Sequence, residues 1–224
     1  MATHLDLEEQ EQLDQLKHFW KQYGNIITWV LIVAMGSFAA WNFYQSYSRS
    51  QAGQASAMFD EVERAAQAGD VAKIERAFTD MKDKFGSTTY AQQAGLLAGK
   101  ALFDKGNTDG AKAALTWVAD KASDEGLQAI ARLRLAGVLV EAKAFDDAMK
   151  QLSSPFPAEY AALVADRKGD VLALQGKKAE SIAEYKKAYD GFDERTDYRR
   201  LVEVKLNALG VDPRGATPSV ETKK

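Results

Sequence analysis

The side chains that most often perform acid–base, nucleophilic or metal chemistry are nearly missing from this chain. It has two histidines, His4 and His18, and no cysteine. Both histidines precede a long uncharged apolar segment, so everything after that segment lacks both an imidazole and a thiol. The commonest general bases, cysteine and Ser–His nucleophile pairs, and histidine- or cysteine-based zinc sites are therefore unavailable there. The patterns G-x-S-x-G, G-x-x-x-x-G-K-[ST] and G-x-G-x-x-G do not occur. Carboxylate pairs such as Glu8/Glu9 and Asp146/Asp147 remain, but adjacent acids in a charge-rich helical chain read as solvated faces. No enzyme activity, metal or cofactor is expected. The absence of cysteine also removes any disulfide framework and suits oxidising and reducing compartments alike.

The elements that carry these residues explain the chain better than its acids do. Between Lys21 and Arg49 no side chain is charged, and Ile26 to Tyr44 is almost wholly apolar or aromatic. Hydrocarbon is about 30 Å thick and a helix rises about 1.5 Å per residue, so roughly 20 residues suffice to cross it. Residues 25–47 supply them. Ser37-Phe38-Ala39 resembles a signal-peptidase site, yet the flanks favour an uncleaved anchor. A signal peptide opens on a short basic region, whereas Asp6, Glu8, Glu9, Glu11 and Asp14 precede this run against Lys17 and Lys21. Trp20, Tyr23, Trp41, Tyr44 and Tyr47 flank it as interfacial anchors. Charge leaves the orientation open, with Lys17 and Lys21 on one side and Arg49 and Arg64 on the other.

Beyond the span the chain is ordinary in composition, 46% hydrophobic and 27% charged with net charge -3. No basic excess points to nucleic acid. It repeats, however. Gly169-x-x-Leu172-x-x-x-Gly176, then Ser181, Tyr185 and Ala188, follow the small and large order of a tetratricopeptide helix pair. Ala136, Leu139, Ala148 and Leu152 restate it 33 residues earlier, and Gly99, Leu102, Gly106, Ala111, Leu115 and Val118 a further 37 residues back. A weaker copy, Val62, Ala65, Gly69, Ile74, Phe78 and Met81, lies 37 residues before that. These spacings bracket the period of about 34 residues. The tryptophan and the repeat-end proline of the fullest consensus are missing. Helices are expected over residues 127–142 and 164–174, with a last helix, 198–209, covering the final repeat and Gly210 stopping it. Strand patterning is nearly absent.

The expected architecture is thus all-α: a single N-terminal transmembrane helix followed by a tetratricopeptide-like helical-hairpin solenoid. The expected divisions are an acidic tail at 1–24, the span at 25–47, the repeat domain at 48–210 and a disordered tail at 211–224. Stacked hairpins form a curved surface whose inner face comes from the first helix of each pair and suits other polypeptides. Register places Gln93, Leu96, Phe103, Val140, Glu141, Asp166 and Asp170 along that groove. Gly36 and Ala40 form a small-x-x-x-small pair that would admit a second membrane helix. Residues 46–57 read equally as a linker or as a continuation of the span. Leu5, Leu13, Leu16 and Phe19 make the tail an amphipathic helix, with Thr3 and Asp6 placed as a capping box. Its acids favour a protein partner over anionic lipid.

Leu127-Gln-Ala-Ile-Ala-Arg-Leu-Arg-Leu-Ala136, Tyr160-Ala-Ala-Leu-Val-Ala-Asp-Arg-Lys-Gly-Asp170, and the acidic tail leading through Phe19-Trp20 into one span together resemble the YfgM family of bacterial inner-membrane proteins. The resemblance runs from about Glu8 to Leu209 and is one of pattern only around Gly99. It implies a single-pass protein with a cytoplasmic N-terminus and a periplasmic repeat domain. It further implies an ancillary role at the SecYEG translocon, alongside a membrane-anchored periplasmic chaperone of the PpiD type, in handling newly translocated proteins. A scaffold acting by self-association is the alternative.

Overall fold

The computed structural model describes residues 7–215, and side chains from residue 10 onward. The expected cap at Thr3 and Asp6 and the last nine residues lie outside that range. The chain falls into two compact units, one up to Gln51 and one from Ala52. Among the described residues every regular element is helical.

Helix α1, Leu7–Ala68, enters both units without a break, so residues 46–57 are a continuation rather than a linker. Ser, Gln and Ala tolerate helix, and no proline interrupts them. In the first unit Trp29, Val30, Leu31, Ile32, Met35, Phe38, Trp41 and Phe43 are all exposed. A helix long and apolar enough to cross a membrane, none of whose apolar window is buried in protein, calls for a lipid environment rather than a soluble core. Two of its polar side chains bond back to the helix backbone, as hydrocarbon demands. Thr28 Oγ1 donates to the Gly24 carbonyl at 2.7 Å and Asn42 Nδ2 to the Phe38 carbonyl at 3.1 Å.

The second unit stacks helix pairs. The end of α1 pairs with α2, Val71–Phe85; α3, Thr89–Asp104, with α4, Thr108–Lys121; α5, Glu125–Glu141, with α6, Phe145–Leu152; and α7, Ala161–Leu174, with α8, Lys178–Gly191. Helix α9, Asp197–Ala208, closes the stack. Starts are written locally. The side chains of Asp70, Thr88, Asn107 and Asp124 each accept from a backbone N–H three residues on.

The turns are one device used five times. The backbone N–H groups of Asp70, Asn107, Ala144, Lys177 and Val211 donate across the turn to the carbonyls of Ala65, Leu102, Leu139, Leu172 and Leu206. This Schellman closure needs a left-handed residue. Gly69, Gly106, Gly176 and Gly210 provide it, while α5–α6 uses Lys143 at φ 57°.

Close approach within pairs follows from the small residues. A Cβ at Gly99 would stand 2.6 Å from Leu115 Cγ, and one at Gly169 2.5 Å from Tyr185 Cδ1. The core runs as three neighbouring clusters, from Val62, Ile74 and Met81, through Leu115, Val118 and Leu139, to Tyr185, Val202 and Leu206. All four expected repeats are formed. One is short: α6 has 8 residues where α2 has 15 and α4 and α8 have 14 each. Pro155 disfavours helix at Ser154, and the chain crosses to α7 through a loop and a 3₁₀ turn, Ala158–Tyr160. At the far end Val211 packs on the last cluster and Arg214 pairs with Glu203. The disordered tail expected from residue 211 is therefore anchored at its first residues.

Candidate protein-binding surface

Of the first helices of the four pairs, α3, α5 and α7 carry the seven positions that repeat register assigns to a groove. Gln93 on α3 is exposed, and Glu141 at the end of α5 is exposed. Phe103 is half-buried against both the first and second core clusters, and Val140 is half-buried on the second. These four present surface on α3 and α5.

Two of the seven expected residues lie elsewhere. Leu96 belongs to the core with Leu115, Val118 and Leu135, and its carbonyl accepts from Arg134 Nη1 at 3.1 Å. Asp166 has no exposed surface. Helix α9 lies over it: Lys205 Nζ donates to Asp166 Oδ1 at 2.7 Å and Tyr198 Oη to Oδ2 at 2.9 Å. Asp170, half-buried one turn on, accepts from Lys205 at 2.6 Å and Tyr185 Oη at 2.7 Å through Oδ1, and from Arg167 at 3.3 Å through Oδ2. Register counts residues against neighbouring repeats and is blind to a closing helix laid across the last one.

All four oxygens of Asp166 and Asp170 are thus engaged, and three of them, both of Asp166 and Oδ1 of Asp170, accept from side chains of α9. Burial, followed by the Asp166 charge, pushes the Tyr198 phenol up to about 12. Burial and the hydrogen bond to Asp170 push the Tyr185 phenol further up still. The arrangement keeps both phenols protonated as donors and serves the packing of α9 on α7. Asp146 and Asp147, the adjacent pair, lie exposed on α6. Among the described residues no group of three or more His, Asp or Glu could hold a metal ion.

Sequence reasoning missed Lys205 and Tyr198, and read Tyr185 only as a packing position of the repeat. A signal existed, since Lys205 interrupts the apolar stripe of Val202, Leu206 and Leu209, and a cation inside such a stripe calls for a buried acid. In the first unit, Gly36 has open space around it and Ala40 is exposed on the same helix.

The model of the family described as tetratricopeptide repeat-like domain matches residues 17–211. A protein of Neisseria gonorrhoeae named ancillary SecYEG translocon subunit is 33% identical over 210 residues, covering 93% of this chain and 100% of the relative. Proteins of the same name from Haemophilus influenzae and Escherichia coli are 28% and 27% identical, each covering 91% of this chain and 98% and 97% of their own length.

Proposed function

The chain belongs to the YfgM family of tetratricopeptide repeat-like proteins, and from that premise we propose that it is an ancillary subunit of the SecYEG translocon that binds polypeptides and catalyses no reaction. The observation that carries this reading is full-length similarity to relatives bearing that name, joined to a fold that pairs one lipid-seeking helix with a stack of helix pairs. The span holds the protein in the inner membrane, with its N-terminus in the cytoplasm and the repeats in the periplasm. Gln93, Phe103, Val140 and Glu141 offer side chains to newly translocated segments and to a membrane-anchored periplasmic chaperone of the PpiD type.

The mechanism is proximity. Tethering beside a channel exit raises the effective concentration of a binding surface for whatever emerges, so contacts that are weak in free solution become useful. Affinity purification in mild detergent, with and without residues 1–48, tests this. The full chain recovers SecYEG and the chaperone, and the truncated chain loses SecYEG. Recovery of copies of itself alone would support a self-associating scaffold instead.

A further inference from the structure

The shortened helix α6 leaves a cleft where the other repeats have helix. Its apolar walls are Leu152, Phe156, Ala161, Ala162 and Ala165, it encloses about 410 Å³, and it opens at the junction of the second and third core clusters. Three charged side chains edge it. Lys187 is held by Glu184 at 2.5 Å, so that pair is neutral. Lys168, half-buried on α7 between α6 and α8, has no hydrogen-bond or ion-pair partner among the described residues. A lysine whose stem is partly covered beside an apolar cleft, with its charge unpaired, is placed to meet an anion at the rim.

We propose that this cleft is a second polypeptide-binding site, which takes one large apolar side chain of an acidic segment and pairs the neighbouring carboxylate with Lys168. The cavity has room for one such side chain, occupying the place of the turns that α6 lacks. The single unpaired positive charge selects an acid next to it over a base. Ser153 and Ser154 also line the cleft, and the Ser154 hydroxyl, which donates to the Lys150 carbonyl at 3.4 Å, keeps its lone pairs for a backbone N–H of the segment. The site is separate from the Gln93–Glu141 surface and does not rest on the translocon reading.

The test uses the full chain in lipid nanodiscs and a fluorescent, end-blocked peptide, Gly-Ser-Ala-Phe-Asp-Gly-Ser, with its Asp→Asn counterpart. Anisotropy should show saturable binding of the acidic peptide at about 1 mM or below, and about threefold to fivefold weaker binding of the amide peptide, the range of an incompletely buried ion pair. Lys168→Gln should abolish the difference between the two peptides while leaving the melting curve unchanged. Ala161→Phe, placed at an exposed position on the rim, should block both. Equal affinity for the two peptides, an undiminished preference in the Lys168→Gln protein, or no saturable binding would each overturn the site. Loss of SecYEG recovery, by contrast, would leave these affinities untouched.

Discussion

Lys205 of α9 places its ammonium 2.7 Å from Asp166 on α7, a carboxylate with no solvent exposure. The closing helix is therefore fastened by charge as well as by Val202 and Leu206, both fully buried. Removing one partner of such a pair strands the other. Lys205→Met should cost about 3 kcal/mol in denaturant unfolding, because Asp166 loses its cation while remaining covered. Adding Asp166→Leu to Lys205→Met should recover a large part of that loss; a double variant as weak as the single one would show that the stranded carboxylate is not its cause, and an undiminished stability of Lys205→Met would show that packing alone holds α9.

The same network sets a response to alkali. The Tyr198 phenol is raised from its ordinary 10 to about 12 in the folded protein. The stability this contributes is fully present below pH 10 and is lost as pH rises through 12, since the unfolded chain ionises first. Asp166, Asp170, Arg167 and Lys205 face these phenols and shape the effect. Tyrosinate absorbance and helicity followed together should show the α9 end loosening between those limits, and Tyr198→Phe should flatten this part of the profile.

Much of this end of the molecule was not legible beforehand, whereas the repeats were. Gly99 and Gly169 announced close helix pairs because smallness is demanded by the facing Leu115 and Tyr185, and both sides of that contact recur at a fixed period. The same logic located the turns at Gly69, Gly106 and Gly176. It failed at Leu96 and Asp166, whose burial depends on packing between elements rather than on position within a repeat. The continuity of α1 was hidden for another reason: Ser, Gln and Ala neither require nor forbid helix, and the surrounding turns decide.

Two glycines of the same type of helix should respond in opposite directions. Gly169→Val places methyls against a Tyr185 ring that Asp170 holds by its hydroxyl, and overpacking should destabilise by about 1–3 kcal/mol. Gly137, exposed in the middle of α5, has nothing within 4 Å of a built Cβ. Gly137→Ala should stabilise by about 0.5–1 kcal/mol through helix propensity. Thermal melting distinguishes the two.

Lys143 is the one non-glycine residue at positive φ among those described. Its turn closes by the bond that glycine turns use, Ala144 N–H to Leu139 carbonyl at 2.9 Å. Lys143→Gly should therefore stabilise the protein by about 1 kcal/mol, the left-handed penalty of a residue with a Cβ less the extra freedom glycine has when unfolded. A lower melting temperature would mean that the lysine side chain is needed at that turn.

The central claim, a membrane-held helical stack whose α3 and α5 surface meets polypeptides at the Sec channel, is tested most directly by photo-crosslinking in intact membranes. A photoreactive residue at Gln93 or at Glu141, both exposed, should yield adducts with SecYEG, with the chaperone or with a translocating chain. The same probe at Lys84 on α2, exposed and outside that surface, should yield few. Adducts with other copies of this chain alone, or equal labelling from Lys84, would contradict the account.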